Sequence, residues 1–221
     1  VDLNRFYQIR VEYPPQGAVF YAPFESGYWV KHPGRQVLNA PLEPVPPPTP
    51  GEDYEVPGAN LKLVAVAAGT FNMGTENERR DEKPVHEVTL TRDFWIGKHE
   101  VTNGQYRFFL EKAGYNGQPE ANEGYLSHFG GKGDIPDDDD YPVAYVSWNN
   151  AMAYCRRLTE FERQGNPLPE GHVYRLPTEA EWEYSCRNGA ELLIERTELA
   201  KRAWHSTSSE GRTCRVGTRP P

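Results

Sequence analysis

The stretch from Val173 to Gly189, VYRLPTEAEWEYSCRNG, constrains the fold more than any other part of the sequence. Pro177 breaks an extended segment, because a proline disfavours helical geometry in the residue before it. Thr178 is suited to a helix N-cap, and Glu181 stands where the second member of a capping box belongs. Asn188–Gly189 supplies a left-handed stop. The stretch therefore predicts a strand end, a turn and a short capped helix.

The composition favours an irregular domain that is rich in loops, with 20 glycines and 20 prolines among 221 residues. This length suits one domain with an arm, or two small domains. The net charge is −8 and the sequence has no basic run, so neither nucleic acid nor an anionic membrane surface is expected as a partner. No apolar run approaches the ~18 residues of a membrane-spanning helix.

The cysteines are three in number, and Cys155, Cys186 and Cys214 show neither metal-site spacing nor a C-x-x-C motif. We expect small buried hydrophobic residues with at most one disulfide, for which Cys186–Cys214 is the candidate pair. The sequence starts at Val1 rather than at a methionine, so we expect that an upstream segment was removed. A cleaved signal peptide and a lipoprotein anchor both remain open.

Residues 1–60 are expected to form an extended arm that is rich in aromatic residues and proline. A strand pattern opens the arm, with every second residue apolar at Tyr7, Ile9, Val11 and Tyr13. Extended pieces follow at 18–24 and 27–30, and six prolines within 41–50 predict a polyproline spacer. The arm lies either on its own domain or on a protein partner, where it can add a strand to a sheet edge.

Residues 61–221 are expected to form the globular domain. LKLVAVAAGTFNMG (61–74) predicts two strands around a turn at Gly69, and VHEVTL (85–90) predicts another strand. The core candidates that follow are Phe94, Trp95 and Ile96.

Two further helices are predicted in this domain. Thr102 and Gln105 form a second capping box, and Gly114 ends the helix that it opens. YPVAYVSW (141–148) predicts a strand that leads into a helix capped by Ser147. After Ser147, the residues that recur at the spacing of one helical face are Trp148, Ala151, Met152, Cys155 and Leu158.

Acidic and histidine residues offer only weak candidates for a metal site. The run Asp137–Asp140 makes calcium a possible cofactor, but it lacks the D-x-D-x-D-G order of an EF-hand, and a solvated acidic loop is favoured. His86 and His99 each precede a glutamate, but neighbouring side chains on a strand point to opposite sides. We therefore assign no catalytic, cofactor-binding or metal-binding residue.

The string RLPTEAEWEY (175–184) resembles the signature of the formylglycine-generating enzyme (sulfatase-modifying factor) family. Five more segments resemble the family in the same order, namely GTFNMG (69–74), KPVHEVTL (83–90), FWIGKHEVTNGQY (94–106), YPVAYVSWNNAMAYCRRL (141–158) and AWHSTSSEGRT (203–213). The resemblance implies an α+β fold that is irregular, loop-rich and similar to the C-type lectin-like fold. Most of these segments set turns, caps and core aromatics.

Chemistry in this family depends on residues outside the matching segments. The resemblance implies that a cysteine pair late in the domain binds copper(I) in the founding enzymes, which oxidise a sulfatase cysteine to formylglycine. Other branches look like iron-dependent sulfoxide synthases or surface proteins without known chemistry. Family members continue beyond a segment like Val216–Pro221 into the part with the cysteine pair and most calcium ligands. Copper is therefore expected only if further residues or a second chain supply that pair.

Two functions follow as expectations. The first is a non-catalytic structural or binding accessory subunit of a larger, extracytoplasmic assembly, in a stable complex with a protein partner that the arm of residues 1–60 contacts. The alternative is a copper-dependent oxidase that converts a sulfatase cysteine to formylglycine and whose catalytic half is absent from the sequence. A cytoplasmic location is the alternative to a periplasmic one.

Overall fold

The structure is a computed structural model, and it describes residues 10–12, 48–76, 82–116, 124–131, 135–165, 168–169, 171–188, 201–205 and 208–219. Most of the arm predicted at residues 1–60, including the extended pieces at 18–24 and 27–30, lies outside the described residues. Within the described residues, no helix is both long enough and apolar enough to cross a membrane.

The main sheet has five strands in the order β2-β3-β6-β1-β7, and every neighbouring pair is antiparallel. Its strands are β1 (Arg10–Glu12), β2 (Tyr54–Val56), β3 (Leu61–Val66), β6 (Phe94–Gly97) and β7 (Tyr174–Arg175). β1 lies inside the sheet, so that Val11 is opposite both Trp95 and Tyr174. The strand predicted around Val11 therefore completes a sheet of this same chain.

A second sheet pairs β4 (Gly69–Met73) with β5 (His86–Leu90) in antiparallel register. Both strands were predicted, β5 from its alternating side chains, but the turn expected at Gly69 is wrong, because Gly69 is the first residue of β4 and pairs with Leu90. Two-stranded sheets have little stability of their own. β4 gains its support from a helix described below, which packs against it.

The helices in the described residues are α1 (Asn103–Ala113), α2 (Trp148–Gly165) and α3 (Glu179–Cys186). Both predicted capping boxes are confirmed. The Thr102 side chain accepts from the backbone N–H of Gln105, whose side chain accepts from the Thr102 backbone. Thr178 and Glu181 form the same reciprocal pair at the start of α3. Ser147 caps α2 by accepting from the Asn150 backbone over 3.1 Å. These caps fix where each helix begins.

The core lies between the main sheet and the helices α1 and α2. It is unusually aromatic, and its buried members include Leu61, Leu63, Trp95, Tyr106, Phe109, Tyr115, Tyr154, Leu158 and Tyr174. Phe94, Trp95 and Ile96 are all at most 5% exposed, which confirms them as core residues. The fold is thus the expected α+β arrangement, with short strands and long connections.

Two expectations for residues 141–148 are wrong. No strand forms there, because Tyr145 adopts a positive φ of 54° and only Pro142 makes an isolated bridge, to Thr102. A residue with left-handed geometry interrupts the extended path that a strand needs. Trp148 is 58% exposed, so it does not share the buried face of α2 with Ala151 and Cys155.

Candidate functional site

The family-like string at 175–184 builds a junction between β7 and α3. Both guanidinium nitrogens of Arg175 donate to the Glu181 carboxylate, at 2.9 and 3.0 Å. Glu181, which is 6% exposed, also accepts from the Thr178 backbone at 2.8 Å. One buried carboxylate therefore caps the helix and neutralises an arginine, which is a structural use of the residue.

The opposite end of α3 is fastened to β4. Glu183 accepts from the backbone of Gly74 at 2.9 Å, and Arg187 donates to the carbonyls of Asn72 and Gly74 at 3.0 and 3.1 Å. The ring of Tyr184 packs edge-on against Phe71, with centroids 5.3 Å apart. These contacts hold the two-stranded sheet on the domain.

The acidic run Asp137–Asp140 is bound by two arginines on opposite sides. Arg107 on α1 forms ion pairs with Asp137 and Asp139. Arg215 lies 3.7 Å from both Asp138 and Asp140. Because adjacent side chains point apart, alternate carboxylates reach alternate arginines. The expectation of a solvated acidic loop is confirmed for Asp138, Asp139 and Asp140, whose side chains are 64%, 75% and 74% exposed, whereas the Asp137 side chain is only 25% exposed.

Asp137 is the most strongly held of the four. It accepts from the backbone of Gly130 at 2.6 Å as well as from Arg107. Although burial by itself would raise the pKa of Asp137, these hydrogen bonds and the positive charge of Arg107 lower the pKa below its usual value. The Arg107 guanidinium also lies over the ring of Phe129, 4.6 Å from its centroid.

A buried histidine adjoins this acidic run. Nε2 of His128 lies 2.8 Å from Oδ1 of Asn103, and both residues are 0% exposed. The Asn103 amide nitrogen donates to the carbonyls of Pro136 and Asp138, at 3.1 and 3.0 Å, which fixes the orientation of the amide. The proton of His128 must then be on Nε2. Burial lowers the pKa of His128; the nearby carboxylate of Asp137 opposes this shift, and the charge of Arg107 adds to it.

A second buried polar cluster lies between the main sheet and α2. Glu162 is 1% exposed and accepts from the hydroxyl of Tyr174 at 2.8 Å and from that of Tyr54 at 3.4 Å. Burial raises the pKa of Glu162, and the two hydroxyl donors oppose that rise. Glu162 follows Leu158 by one helical turn, so its position on the buried face could have been found from spacing.

The cysteines do not fit a copper(I) site. Cys155 is completely buried, and burial raises the pKa of its thiol to about 12, whereas copper binds the thiolate. Cys186 and Cys214 are free as well, so the candidate disulfide does not form. Within the described ranges, no three histidine, cysteine or acidic residues are grouped to hold a metal ion. His86 and His99 belong to no such group.

The residues that sequence reasoning missed are Arg107, Arg215, Asn103 and His128. Each contacts a segment distant in sequence, and no local spacing marks it. Together with the acidic run they make the most extensive polar network described here, joining α1, the turn at 128–131 and the segment at 208–219. Its chemistry is that of a structural junction, because its charged groups satisfy one another.

Comparison with known proteins identifies a family and relatives that this chain resembles. Residues 52–213 match the model of the family described as "Sulfatase-modifying factor enzyme 1-like domain". The formylglycine-generating enzyme of Bos taurus is 31% identical over 61% of this chain and 42% of its own length. The inactive C-alpha-formylglycine-generating enzyme 2 of Bos taurus is 28% identical over 60% of this chain and 50% of its own length. The chain thus spans about half or less of these relatives.

Among solved structures, PvdO from Pseudomonas aeruginosa has a similar fold. It superposes with a TM-score of 0.58 at 24% identity, covering 79% of this chain and 69% of PvdO. Variable protein 1 of Treponema denticola gives a TM-score of 0.54 at 21% identity, covering 76% of this chain and 69% of that protein. The match of sequence over most of the described domain assigns the chain to the family of sulfatase-modifying factor enzyme 1-like domains.

Proposed function

We propose that this chain is a non-catalytic structural and binding module, which uses the sulfatase-modifying-factor fold as a scaffold within a larger protein complex. The polar residues in and next to the family-like string at 175–184 support this proposal. Arg175, Glu181, Glu183 and Arg187 all bond to groups of the same domain. A rigid domain of this kind presents its surface in a fixed arrangement.

The observation that carries the proposal is the exposure of two tryptophans. Trp148 begins α2 and is 58% exposed, and Trp182 lies on α3 and is 51% exposed. Tryptophan is enriched among the residues that dominate protein–protein binding, because it buries a large apolar area with little loss of side-chain freedom. Both side chains project from helices whose first turns are fixed by caps, so their positions are preorganised.

Substitution of these tryptophans tests the proposal in the native setting. The full-length protein, with an affinity tag, is recovered from extracts of its own cells, and the size of its complex is measured by size-exclusion chromatography with light scattering. We expect the wild type in a stable complex, and at least tenfold weaker retention of partners by Trp182→Ala or Trp148→Ala. Glu179→Ala, an exposed change on α3, is the matched control. A wild type that is a free monomer in the extract contradicts the proposal.

The oxidase alternative is favoured by one observation, the 31% and 32% identity to the formylglycine-generating enzymes of Bos taurus and Mus musculus. The full-length, copper-loaded protein should then convert the cysteine of a C-x-P-x-R peptide to formylglycine. Mass spectrometry of the peptide detects the product. Turnover that survives Cys186→Ser and Cys214→Ser would assign the chemistry to residues beyond this sequence, whereas no turnover would eliminate the alternative.

A further inference from the structure

The position of β1 in the main sheet has consequences for self-association. β1 pairs with β6 through Arg10–Ile96, Val11–Trp95 and Glu12–Phe94, and with β7 through two further pairs. Without β1, the facing edges of β6 and β7 would both lose their hydrogen-bonding partner, and β7 would have no neighbour in the sheet. The space between β6 and β7 is therefore a strand-binding slot that is incomplete without an added strand.

The strand that fills the slot comes from outside the family domain. The family match begins at residue 52, whereas β1 ends at Glu12. Residues 13–53 connect β1 to β2, and at ~3.3 Å per residue this connection can span on the order of 100 Å. A domain of this size is roughly 40 Å across. The connection is thus long enough for β1 to enter the sheet of a neighbouring molecule.

We propose that the slot between β6 and β7 also accepts β1 from a second copy of this chain, which gives a reciprocal strand-exchanged dimer. Exchange in both directions leaves both sheets complete and forms a closed twofold assembly. The sequence of the connection supports this occupant, because Pro14 and Pro15 are unfavourable for continuing a strand and the prolines of 41–50 favour an extended spacer.

The concentration at which the dimer forms follows from the linker. A strand from the same chain and one from a second copy make the same pairs, so the two arrangements compete through concentration alone. The effective concentration of a tethered strand is on the order of mM. We therefore expect dimers to become abundant as the protein approaches ~1 mM, and monomers to dominate at ~10 μM.

Two variants, each with one introduced cysteine, provide the direct test. One carries Arg10→Cys and the other carries Ile96→Cys, and in both the native Cys186 and Cys214 are changed to serine. Directly opposed strand residues are close enough for a disulfide. After mixing at ~1 mM and mild oxidation, a covalent heterodimer forms only if one chain inserts β1 into the other. Replacing Ile96→Cys by Glu160→Cys, which is exposed on α2, should reduce the heterodimer to background.

Native mass spectrometry of isotope-labelled and unlabelled protein keeps the proposal testable if a cysteine variant fails to fold. We expect dimers of mixed mass for the wild type, and their loss in Val11→Pro, because proline cannot donate within a sheet. A wild type that stays monomeric at ~1 mM, or a Val11→Pro variant that dimerises equally well, would overturn the inference. Trp182→Ala should leave the strand exchange unchanged. The dimer proposal can therefore fail while the proposed partner binding holds, and the reverse is also possible.

Discussion

The imidazole of His128 donates from Nε2 to Oδ1 of Asn103 over 2.8 Å, in a site from which solvent is excluded. Asn103 opens α1, and its amide nitrogen bonds to the backbone of the acidic run. The pair therefore connects the start of a helix to two loops that are distant in sequence. Because Nδ1 of His128 is buried and has no hydrogen-bond partner in the described part of the chain, protonation of the ring is disfavoured.

Stability should consequently fall in mild acid. The unfolded chain binds the His128 proton with an ordinary pKa near 6.5, and the folded protein binds it with a lowered pKa. The free energy of unfolding then decreases as the pH drops below about 6.5, by ~1.4 kcal/mol for each unit by which the pKa is lowered. Urea denaturation at pH 7.5 and 5.5 measures this decrease.

His128→Gln identifies the responsible group, since glutamine retains a donor for Asn103 but does not titrate. We expect the variant to be less stable at pH 7.5, and to lose less of its remaining stability between pH 7.5 and 5.5 than the wild type loses. His86→Gln, at an exposed histidine on β5, is the matched control substitution. Equal pH dependence in the wild type and His128→Gln would contradict the assignment.

Removing Arg107 should weaken the acidic run. Arg107→Ala deletes ion pairs to Asp137 and Asp139 and the contact with Phe129. The Asp137 side chain is 25% exposed whereas that of Asp139 is 75% exposed, so the pair with Asp137 should supply most of the effect, and we expect a loss of roughly 1–3 kcal/mol. Arg157→Ala removes an exposed i,i+3 pair with Glu160 and should cost at most about 0.5 kcal/mol. Similar urea midpoints for Arg107→Ala and Arg157→Ala would contradict the prediction that Arg107 contributes more to stability than Arg157.

Local patterns predicted the elements whose determinants lie within a few residues. The boxes at Thr102 and Thr178 need only a cap and a partner three residues on, and the alternation in VHEVTL (85–90) needs only neighbouring side chains. Both therefore survive in the structure. The strand expected at 141–148 failed because the positive φ of Tyr145 is set by the surrounding loop and carries no sequence signal.

The polar network was less accessible to sequence reasoning than the fold. The spacing of carboxylates in Asp137–Asp140 correctly argued against an EF-hand, but the arginines that bind them lie 30 or more residues away on α1 or far downstream, at Arg107 and Arg215. Partners brought together only by tertiary structure leave no local pattern. The two arginine partners of this solvated run could therefore be found only from the tertiary structure.

Glu162 should make stability decline with rising pH. Its folded-state pKa is raised by burial above that of the unfolded chain, so its contribution is complete in acid and is lost as the pH rises through the folded pKa. The free energy of unfolding of Glu162→Gln, relative to that of the wild type, should therefore increase as the pH rises from 4.5 to 7. Urea unfolding at both values measures this gain. Glu160→Gln, an exposed change on the same helix, is the matched control, and the absence of a gain in Glu162→Gln would argue against a raised pKa.

Gly69 and Tyr184 should be coupled through a steric contact. A Cβ added at Gly69 would overlap the Tyr184 hydroxyl and lie 3.1 Å from the ring carbon that bears it. Gly69→Ala must therefore displace the Tyr184 side chain, which is 8% exposed and packs against Phe71, at a cost of about 1–3 kcal/mol. Tyr184→Phe removes the hydroxyl, so Gly69→Ala should cost about 1 kcal/mol less in that background, with partial rescue because the ring remains. Thermal and urea unfolding of the wild type, the two single variants and the double variant completes this double-mutant cycle. If Gly69→Ala cost the same with Tyr184 and with Phe at position 184, this contact would be excluded as the reason for glycine at position 69.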